Sequence, residues 1–233
     1  DKGNLSYVHL SDSGYICAKI NKTNLILDVA KLGPNHLLAH AHADTLSFEL
    51  SVGAQRFIVN SGTSCYGESE RRLFERSTSA HNTVEIDNSN SSEVWSSFRV
   101  ARRAFPFGLE INCVDDLLTV RCSHDGYKKL KGEPVHTRNW SIGSHKIIIR
   151  DEVSGNYRSA ISRYIIHSDI KLIKKENNIF QLLSKNGERL RIKVLSGRPA
   201  IVDWQHTCQF GSLYDTKCIE IDINDNYSVV EIT

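Results

Sequence analysis

The chain has 233 residues, of which 40% are hydrophobic and 24% carry a charged side chain. This length suits a single large β domain with a substantial core that needs no covalent cross-links. The formal net charge is only +2 and there is no apolar run of about 18 residues, so the sequence predicts neither a nucleic-acid partner nor a membrane-spanning helix.

Short strand-like segments separated by polar turns recur along the chain. The predicted strands are 24–29, 46–52, 57–59, 83–86, 117–122, 146–151, 161–167, 170–174, 179–183, 190–195 and 228–232. A turn at 53–55 makes a hairpin of the second and third, and a helix of one or two turns is predicted over 68–75. Dense strands with polar turns such as Asn186-Gly187 indicate an all-β fold, a mostly antiparallel β-sandwich formed as one domain over 1–233.

Three histidines and an asparagine mark the first half of the chain. His40 and His42 flank a single alanine, so on a strand both imidazoles project from the same face. The hairpin over 46–60 returns Asn60 to the level of His42, and His81 opens the next strand. Strand ends that bring together such side chains are typical of metal or acid–base sites. We expect these four residues to converge, with the imidazoles of His42 and His81 within about 6 Å.

The six cysteines show no CxxC spacing, which argues against a structural zinc knuckle or a redox dithiol. Their even number permits disulfides, and Cys113 and Cys122 are placed to face each other across a hairpin that turns at 115–116. Free thiols, mostly buried, are the other possibility, because a domain of this size does not require cross-links.

Several separated blocks resemble one protein family. The blocks HAHADTLSFEL at 40–50, NSGTSCY at 60–66 and RSTSAHNTVEID at 76–87 resemble the core of the heparinase II/III-like polysaccharide lyases, and SSEVWSSFRVARRA at 91–104 and HDGY at 124–127 continue the match. The similarity is strongest from about Gly14 to Asp151 and weak after His167. Because the blocks occur in the family's order, the resemblance implies the C-terminal β-sandwich of such an enzyme, with an N-terminal helical toroid expected upstream.

The resemblance implies β-elimination on an acidic polysaccharide that contains uronic acid. In this family, part of the catalytic set comes from the toroid, so the isolated domain is expected to be inactive. A periplasmic or cell-surface location is also expected. Two other functions stay open: a non-catalytic polysaccharide-binding or assembly protein that kept the fold, and a hydrolase or unrelated metalloenzyme on a β-sandwich.

The resemblance also assigns roles to residues. His40 matches the first histidine of the family's HxH motif, which implies a general base or a group that neutralises charge. Tyr66 is expected to act as an acid–base phenol, with ordinary packing as the alternative. Substrate contacts are expected from Arg71, Arg72, Arg76 and Trp95, because arginine binds carboxylates with paired hydrogen bonds and tryptophan stacks on sugar rings. The alternatives are solvated ion pairs for the arginines and core packing for Trp95.

A zinc site is implied at His42 and His81, with one departure from the family pattern. The third ligand in the family is an aspartate, and the matching position holds Asn60. A neutral amide oxygen weakens a Zn²⁺ site that normally gains from carboxylate charge. Two arrangements stay open: a weakened zinc site, with Asp44 as a substitute ligand or as an orienting group, and a metal-free cluster in which Asn60 ties the two histidines together.

The remaining histidines have no spacing that forces chemistry on them. Histidine is a common metal ligand and acid–base group, but a single one is usually an ordinary polar residue. That interpretation is given to His9, His36, His145 and His206, whereas a role stays open for His124, His136 and His167.

Overall fold

The computed structural model describes residues 4–34 and 36–233, so residues 1–3 and 35 of the predicted domain lie outside this description. The described residues form nineteen strands, one α-helix and one 3-10 helix, and all the strand pairs among them are antiparallel. The predicted all-β sandwich is confirmed. No helix within the described ranges is long and apolar enough to span a bilayer.

The strands are numbered in chain order. They are β1 Leu5–Leu10, β2 Tyr15–Ile20, β3 Thr23–Asp28, β4 Phe48–Val52, β5 Gln55–Ile58, β6 Val84–Ile86, β7 Val94–Trp95, β8 Arg99–Val100, β9 Pro106–Val114, β10 Leu117–His124, β11 Val135–Ile142, β12 Ile147–Ser154, β13 Ala160–Ile165, β14 Lys171–Glu176, β15 Ile179–Leu183, β16 Arg189–Ser196, β17 Arg198–His206, β18 Tyr214–Asp222 and β19 Tyr227–Ile232.

Two layers of sheet enclose the core. One layer joins the five-stranded sheet β1-β2-β3-β4-β5 to the four-stranded sheet β17-β18-β13-β6, and the two meet where Ile58 bridges to Ile166. The other layer is the eight-stranded sheet β14-β15-β16-β19-β12-β11-β10-β9. A single hydrophobic cluster contains fully buried side chains from all three sheets, such as Phe48, Trp140 and Ile219. Alternation along the strands supplies this core, because every second side chain points inward.

The helix α1, Glu70–Arg76, lies between β5 and the segment that contains His81. Its N-cap is Ser69, whose side chain accepts a hydrogen bond from the Arg72 backbone N–H at 3.1 Å. The predicted helix over 68–75 is therefore present, but it begins two residues later because the serine cap fixes its start. A 3-10 helix, Thr78–Ala80, then delivers His81.

The segment before β4 differs from the prediction. His40 and His42 lie in a turn and a loop rather than on a strand, so the expectation that strand alternation aims both imidazoles the same way is wrong. The reason lies at Leu46, whose φ of 64° is left-handed and incompatible with a strand. Ser47 N–H donates to the Asp44 carbonyl at 2.8 Å, which closes a turn, and β4 starts only at Phe48.

A buried arginine connects the two layers. Arg138 on β11 pairs with Asp151 on β12, with Nε 2.6 Å from Oδ1 and Nη2 2.9 Å from Oδ2. Its Nη1 donates to the backbone carbonyls of Leu46 at 2.7 Å and Asn82 at 2.5 Å. The eight-stranded sheet thereby holds the two segments that carry the histidine cluster.

All six cysteines are free, which agrees with the thiol alternative, although only Cys122 and Cys218 are buried. The hairpin of β9 and β10 turns at 115–116 as predicted. Its register pairs Cys113 with Leu118, however, so the placement of Cys113 opposite Cys122 is wrong.

Candidate functional site

His42 and His81 form the centre of the site. Nδ1 of His42 lies 3.1 Å from Nε2 of His81, so the predicted approach within 6 Å is confirmed. The other nitrogen of His81, Nδ1, lies 2.7 Å from the Ser77 carbonyl, and Nε2 of His42 lies 3.2 Å from Nη1 of Arg72. Each of the four ring nitrogens therefore has a partner.

These partners determine where the protons lie. The Ser77 carbonyl can only accept, so His81 carries its proton on Nδ1 and accepts at Nε2. His42 must then donate from Nδ1 and accept at Nε2 from the Arg72 guanidinium. The result is one chain of hydrogen bonds that runs from Arg72 through His42 and His81 to the Ser77 carbonyl.

Both imidazoles are held in the neutral form. Burial, with the adjacent His81 and Arg72, lowers the pKa of His42 to about 2. Burial also lowers the pKa of His81, against the opposing effect of the Asp44 carboxylate. A second cation among these groups would be unfavourable. Arg72 is therefore the single charged group in this series of hydrogen bonds.

His40 lies on the protein surface, outside this series of hydrogen bonds. Its ring meets those of Tyr66 and Phe98 edge to face, with centroid separations of 5.2 Å and 5.7 Å. Phe210, from the loop after β17, packs on Tyr66 at 5.1 Å. The structure thus surrounds an exposed imidazole with exposed aromatic rings, a surface suited to the apolar faces of sugars. Phe210 was not predicted, because no local pattern links it to residues far earlier in the chain.

Arg72 and Arg76 are fully buried. Arg72 also contacts the Thr63 hydroxyl and the Ser97 carbonyl, each at 3.4 Å, and its guanidinium lies 5.3 Å from the centroid of the Tyr66 ring. Arg76 donates to the carbonyls of Ala41 and Ser96, each at 3.0 Å. In this arrangement both arginines position neighbouring loops, and direct contact with a substrate stays a prediction.

Arg71 and Trp95 lie elsewhere around the site. Arg71 pairs with Glu75 at 2.8 Å and reaches Gln205 at 3.4 Å, so it points away from Arg72 although the two are adjacent in sequence. Trp95 is 48% exposed and stacks under Arg99 at 4.7 Å, which contradicts the alternative of core packing. The exposed ring remains available for the sugar contact that was predicted.

The hydrogen bonds of Asn60 go to groups other than the two histidines. Its side-chain oxygen accepts the Asn82 backbone N–H at 2.9 Å, and its amide nitrogen lies 3.4 Å from the Ser47 hydroxyl. Its backbone N–H donates to Glu49 at 3.1 Å. The alternative in which Asn60 ties His42 to His81 is therefore wrong, because the two histidines bond each other directly.

Comparison with known proteins gives the family. The model of the heparinase II/III-like C-terminal family matches residues 3–227. The chain belongs to this family. A comparison with curated proteins finds no match.

Solved heparinases share the fold of this heparinase II/III-like domain. The heparan sulfate lyase HepC from Pedobacter heparinus superposes with a TM-score of 0.78 at 17% identity, covering 98% of this chain and 36% of that chain. A heparinase III gives a TM-score of 0.76 at 18% identity, with the same two coverages. The chain thus spans about a third of these proteins, and at such identities the likeness establishes the fold alone.

In the arrangement observed for this heparinase II/III-like domain, the ligand atoms of His42, Asn60 and His81 are not free to bind zinc. All four imidazole nitrogens are engaged, the Asn60 oxygen is taken by Asn82, and the Arg72 cation stands where it would repel a metal ion. Zinc at this position stays a prediction that requires these contacts to be exchanged.

A cavity of about 460 Å³ opens beside the histidines, and Tyr15, Asp28, His40, His42 and Asp44 contribute to its lining. Burial raises the pKa of both Asp28 and Asp44. The pKa of Tyr15 is raised to about 12, mainly by the charge of the neighbouring Asp28.

Proposed function

We propose that this domain supplies part of the active site of a polysaccharide lyase that cleaves an acidic polysaccharide by β-elimination. The observation that carries the proposal is the exposed imidazole of His40, whose ring contacts those of Tyr66 and Phe98. The buried Arg72 cation lies against the ring of Tyr66. An acid–base group, a phenol and a positive charge are the components that this reaction needs at one place.

The reaction removes the proton on C5 of a uronate, which the adjacent carboxyl group makes acidic. The C–H electron pair becomes the C4–C5 double bond, and the C4–O bond breaks with its electrons going to the leaving oxygen. That oxygen takes a proton. The proposal assigns one proton transfer to His40 and the other to Tyr66, since both are exposed and their rings are in contact.

Arg72, with the hydrogen-bonded pair His42 and His81, is proposed to favour binding of the substrate carboxylate. The Arg72 guanidinium lies behind the exposed Tyr66 ring, where its charge favours a uronate carboxylate at the surface. His42 accepts a hydrogen bond from the same guanidinium and fixes its direction. Because His42 and His81 are neutral, they do not compete with Arg72 for an anion.

The whole enzyme is expected to include a helical toroid that brings further catalytic groups, so this domain alone would lack turnover. An acidic polysaccharide substrate would place the protein in the periplasm or at the cell surface. HepC is a heparan sulfate lyase, which makes heparan sulfate the first polymer to test.

The test is incubation of the full-length protein with heparan sulfate and other uronate polymers, followed by near-ultraviolet absorption. A lyase produces an unsaturated uronate that absorbs there, whereas a hydrolase produces new reducing ends without that chromophore. Absence of both products, together with retention on the immobilised polymer, would replace the proposal by the second candidate.

That second candidate is a polysaccharide-binding protein that kept the fold. Two observations favour it: the position of the family's aspartate ligand holds Asn60, and Tyr66, Trp95, Phe98 and Phe210 expose aromatic rings that can bind sugars without any chemistry. Product formation separates the two candidates.

A further inference from the structure

A second group of metal-ligating side chains lies outside the candidate site. His167, His206 and Cys208 bring one ligand atom each to within 4.8 Å of one another. His167 follows β13, His206 ends β17, and Cys208 lies in the loop after β17. The cluster is thus assembled from segments about forty residues apart, which is why single-residue inspection of the sequence treated His206 as an ordinary polar residue.

The distances fit a tetrahedral ion. Sγ of Cys208 lies 3.5 Å from Nε2 of His167 and 3.8 Å from Nε2 of His206. Bonds of about 2.3 Å to sulfur and 2.05 Å to nitrogen at the tetrahedral angle place sulfur and nitrogen about 3.6 Å apart. The three side chains therefore have nearly the spacing that a zinc ion requires.

The two imidazoles lie close together in the interior. Both histidines are buried, and their ring centroids are 4.8 Å apart. Burial lowers the pKa of both imidazoles, that of His206 to about 4. The thiol is exposed, so an ion has access from solvent.

Metal binding would exchange hydrogen bonds for coordinate bonds. Nε2 of His206 accepts the Ser168 N–H at 2.9 Å, and Nδ1 of His167 accepts the Asp169 N–H at 3.1 Å. Coordination through Nε2 of His167 moves its proton to Nδ1, where the Asp169 carboxylate lies 3.9 Å away. At 3.9 Å this carboxylate is beyond hydrogen-bond distance, so it has to approach Nδ1 and replace the contact with the Asp169 N–H before it can orient the ring as carboxylates commonly orient ligating histidines.

We propose that His167, His206 and Cys208 bind a divalent transition-metal ion of the zinc class. One thiolate and two imidazoles select Zn²⁺ or Co²⁺ over Mg²⁺ and Ca²⁺, which prefer oxygen ligands. Three protein ligands leave the fourth tetrahedral position to water. This proposal does not depend on the lyase reaction.

The ion would fix one side of the surface formed by the rings of Tyr66, Phe98 and Phe210 around His40. The loop that contains Cys208 also contains Phe210, whose ring packs on Tyr66 at 5.1 Å. The same loop is attached to the Ser64 carbonyl by the Gly211 N–H at 2.9 Å. The Thr207 N–H also donates to the Ser61 carbonyl at 2.8 Å, and a metal bond at Cys208 would add a further attachment two residues before Phe210. The ion is therefore a structural clamp for the surface around His40.

Cobalt provides the test, because a Co²⁺–thiolate bond gives a strong near-ultraviolet charge-transfer band. We expect one equivalent of Co²⁺ to produce this band in the reduced protein and Zn²⁺ to abolish it by displacement. Cys208→Ser should remove the band, whereas Cys113→Ser, which changes another exposed cysteine, should leave it unchanged. The pair His42 and His81 contains no thiol, so binding there cannot produce the signal.

A second measurement uses the unmodified chain. Zn²⁺ should slow the alkylation of Cys208 by iodoacetamide at least tenfold, as read by peptide mass spectrometry, while Cys113 reacts at its usual rate. His167→Asn should abolish that protection. A folded protein that shows no band at stoichiometric Co²⁺, a band that survives Cys208→Ser, or equal alkylation with and without Zn²⁺ would each overturn the proposal.

Discussion

His42 and His81 contact each other through Nδ1 and Nε2 at 3.1 Å, and neither ring has a carboxylate as a direct hydrogen-bond partner. Two imidazoles in such contact repel each other when protonated, and the Arg72 cation adds to that repulsion. The arrangement is therefore stable only while both rings are neutral, and it links the stability of the fold to pH.

The first prediction concerns that link. An unfolded histidine titrates near 6.5, whereas the pKa of folded His42 is about 2, so between these values the unfolded chain binds the proton more tightly. Stability is full above pH 6.5 and falls as the pH decreases. From pH 7.5 to 5, His42 alone should cost about 2 kcal/mol of unfolding free energy. Urea denaturation at the two pH values measures this.

Other buried histidines, His124 and His136, have lowered pKa values and act in the same direction. The control is therefore the variant His42→Asn, whose loss of stability over the same interval should be smaller by that amount. An identical pH dependence in the two proteins would show that His42 does not titrate as inferred.

The second prediction concerns Arg72. Arg72→Met removes a cation that lowers the pKa of His42, so the pKa should rise, and the loss of buried hydrogen bonds should cost roughly 1–3 kcal/mol of stability. Arg71→Met is the matched control, because Arg71 is on the same helix but contacts Glu75 and Gln205. Histidine titration by NMR measures both variants, and equal shifts would contradict the assigned contact.

The third prediction tests catalysis in the full-length protein. His40→Ala should lower turnover on a uronate polymer by about 10²–10⁴-fold, as expected when one positioned acid–base group is lost. The melting curve should stay unchanged, because His40 is exposed. Turnover equal to that of the unchanged protein would make His40 a surface histidine without a catalytic role.

The fourth prediction separates the Tyr66 hydroxyl from its ring. Tyr66→Phe keeps the ring contacts with His40 and Phe210 but removes the phenol. Turnover should fall by about 10²-fold or more while polymer binding is retained. Tyr66→Ala should weaken both, and a fully active Tyr66→Phe enzyme would assign the proton transfer to another group.

The fifth prediction concerns zinc at the histidine pair. Asn60→Asp should tighten zinc binding, because it restores a carboxylate, with its full negative charge, at the position of the family's aspartate ligand. Calorimetric titrations are made in a Cys208→Ser background, so that the cysteine-containing cluster does not contribute. Equal affinities would mean that residue 60 is not a ligand or that Asp44 already serves.

Eleven of the nineteen described strands could be predicted because they depend on local patterns, whereas strands such as β1, β11 and β17 were not among those predicted. The approach of His42 to His81 was also predicted, although His42 does not lie on a strand. The predicted hairpin that turns at 53–55 is present, with a register shift between Leu50 and Ser51, and it brings the Asn60 side chain to 3.4 Å from the Ser47 hydroxyl. The position of His40 could not be obtained this way. His40 lies in a turn well before β4, and that strand begins only after Leu46, a bulky residue for which a positive φ is not expected.

Contacts between distant segments were also beyond a sequence pattern. Adjacent arginines on a short helix look equivalent, yet Arg72 is buried against His42 while Arg71 faces Gln205, because the two sides of α1 meet different elements. The approach of Phe210 to Tyr66 and of Cys208 to His167 likewise depends on where β17 ends. Such contacts follow from the packing of whole sheets.

The bonds from Arg138 to the carbonyls of Leu46 and Asn82 have a consequence for reconstitution. They attach the segments that contain His42 and His81 to the eight-stranded sheet, so contacts within this domain hold both segments. The helical toroid proposed for the whole protein, if produced separately, would meet histidine segments that are already held in place. Activity should therefore be recoverable by mixing two polypeptides, with no covalent connection between them.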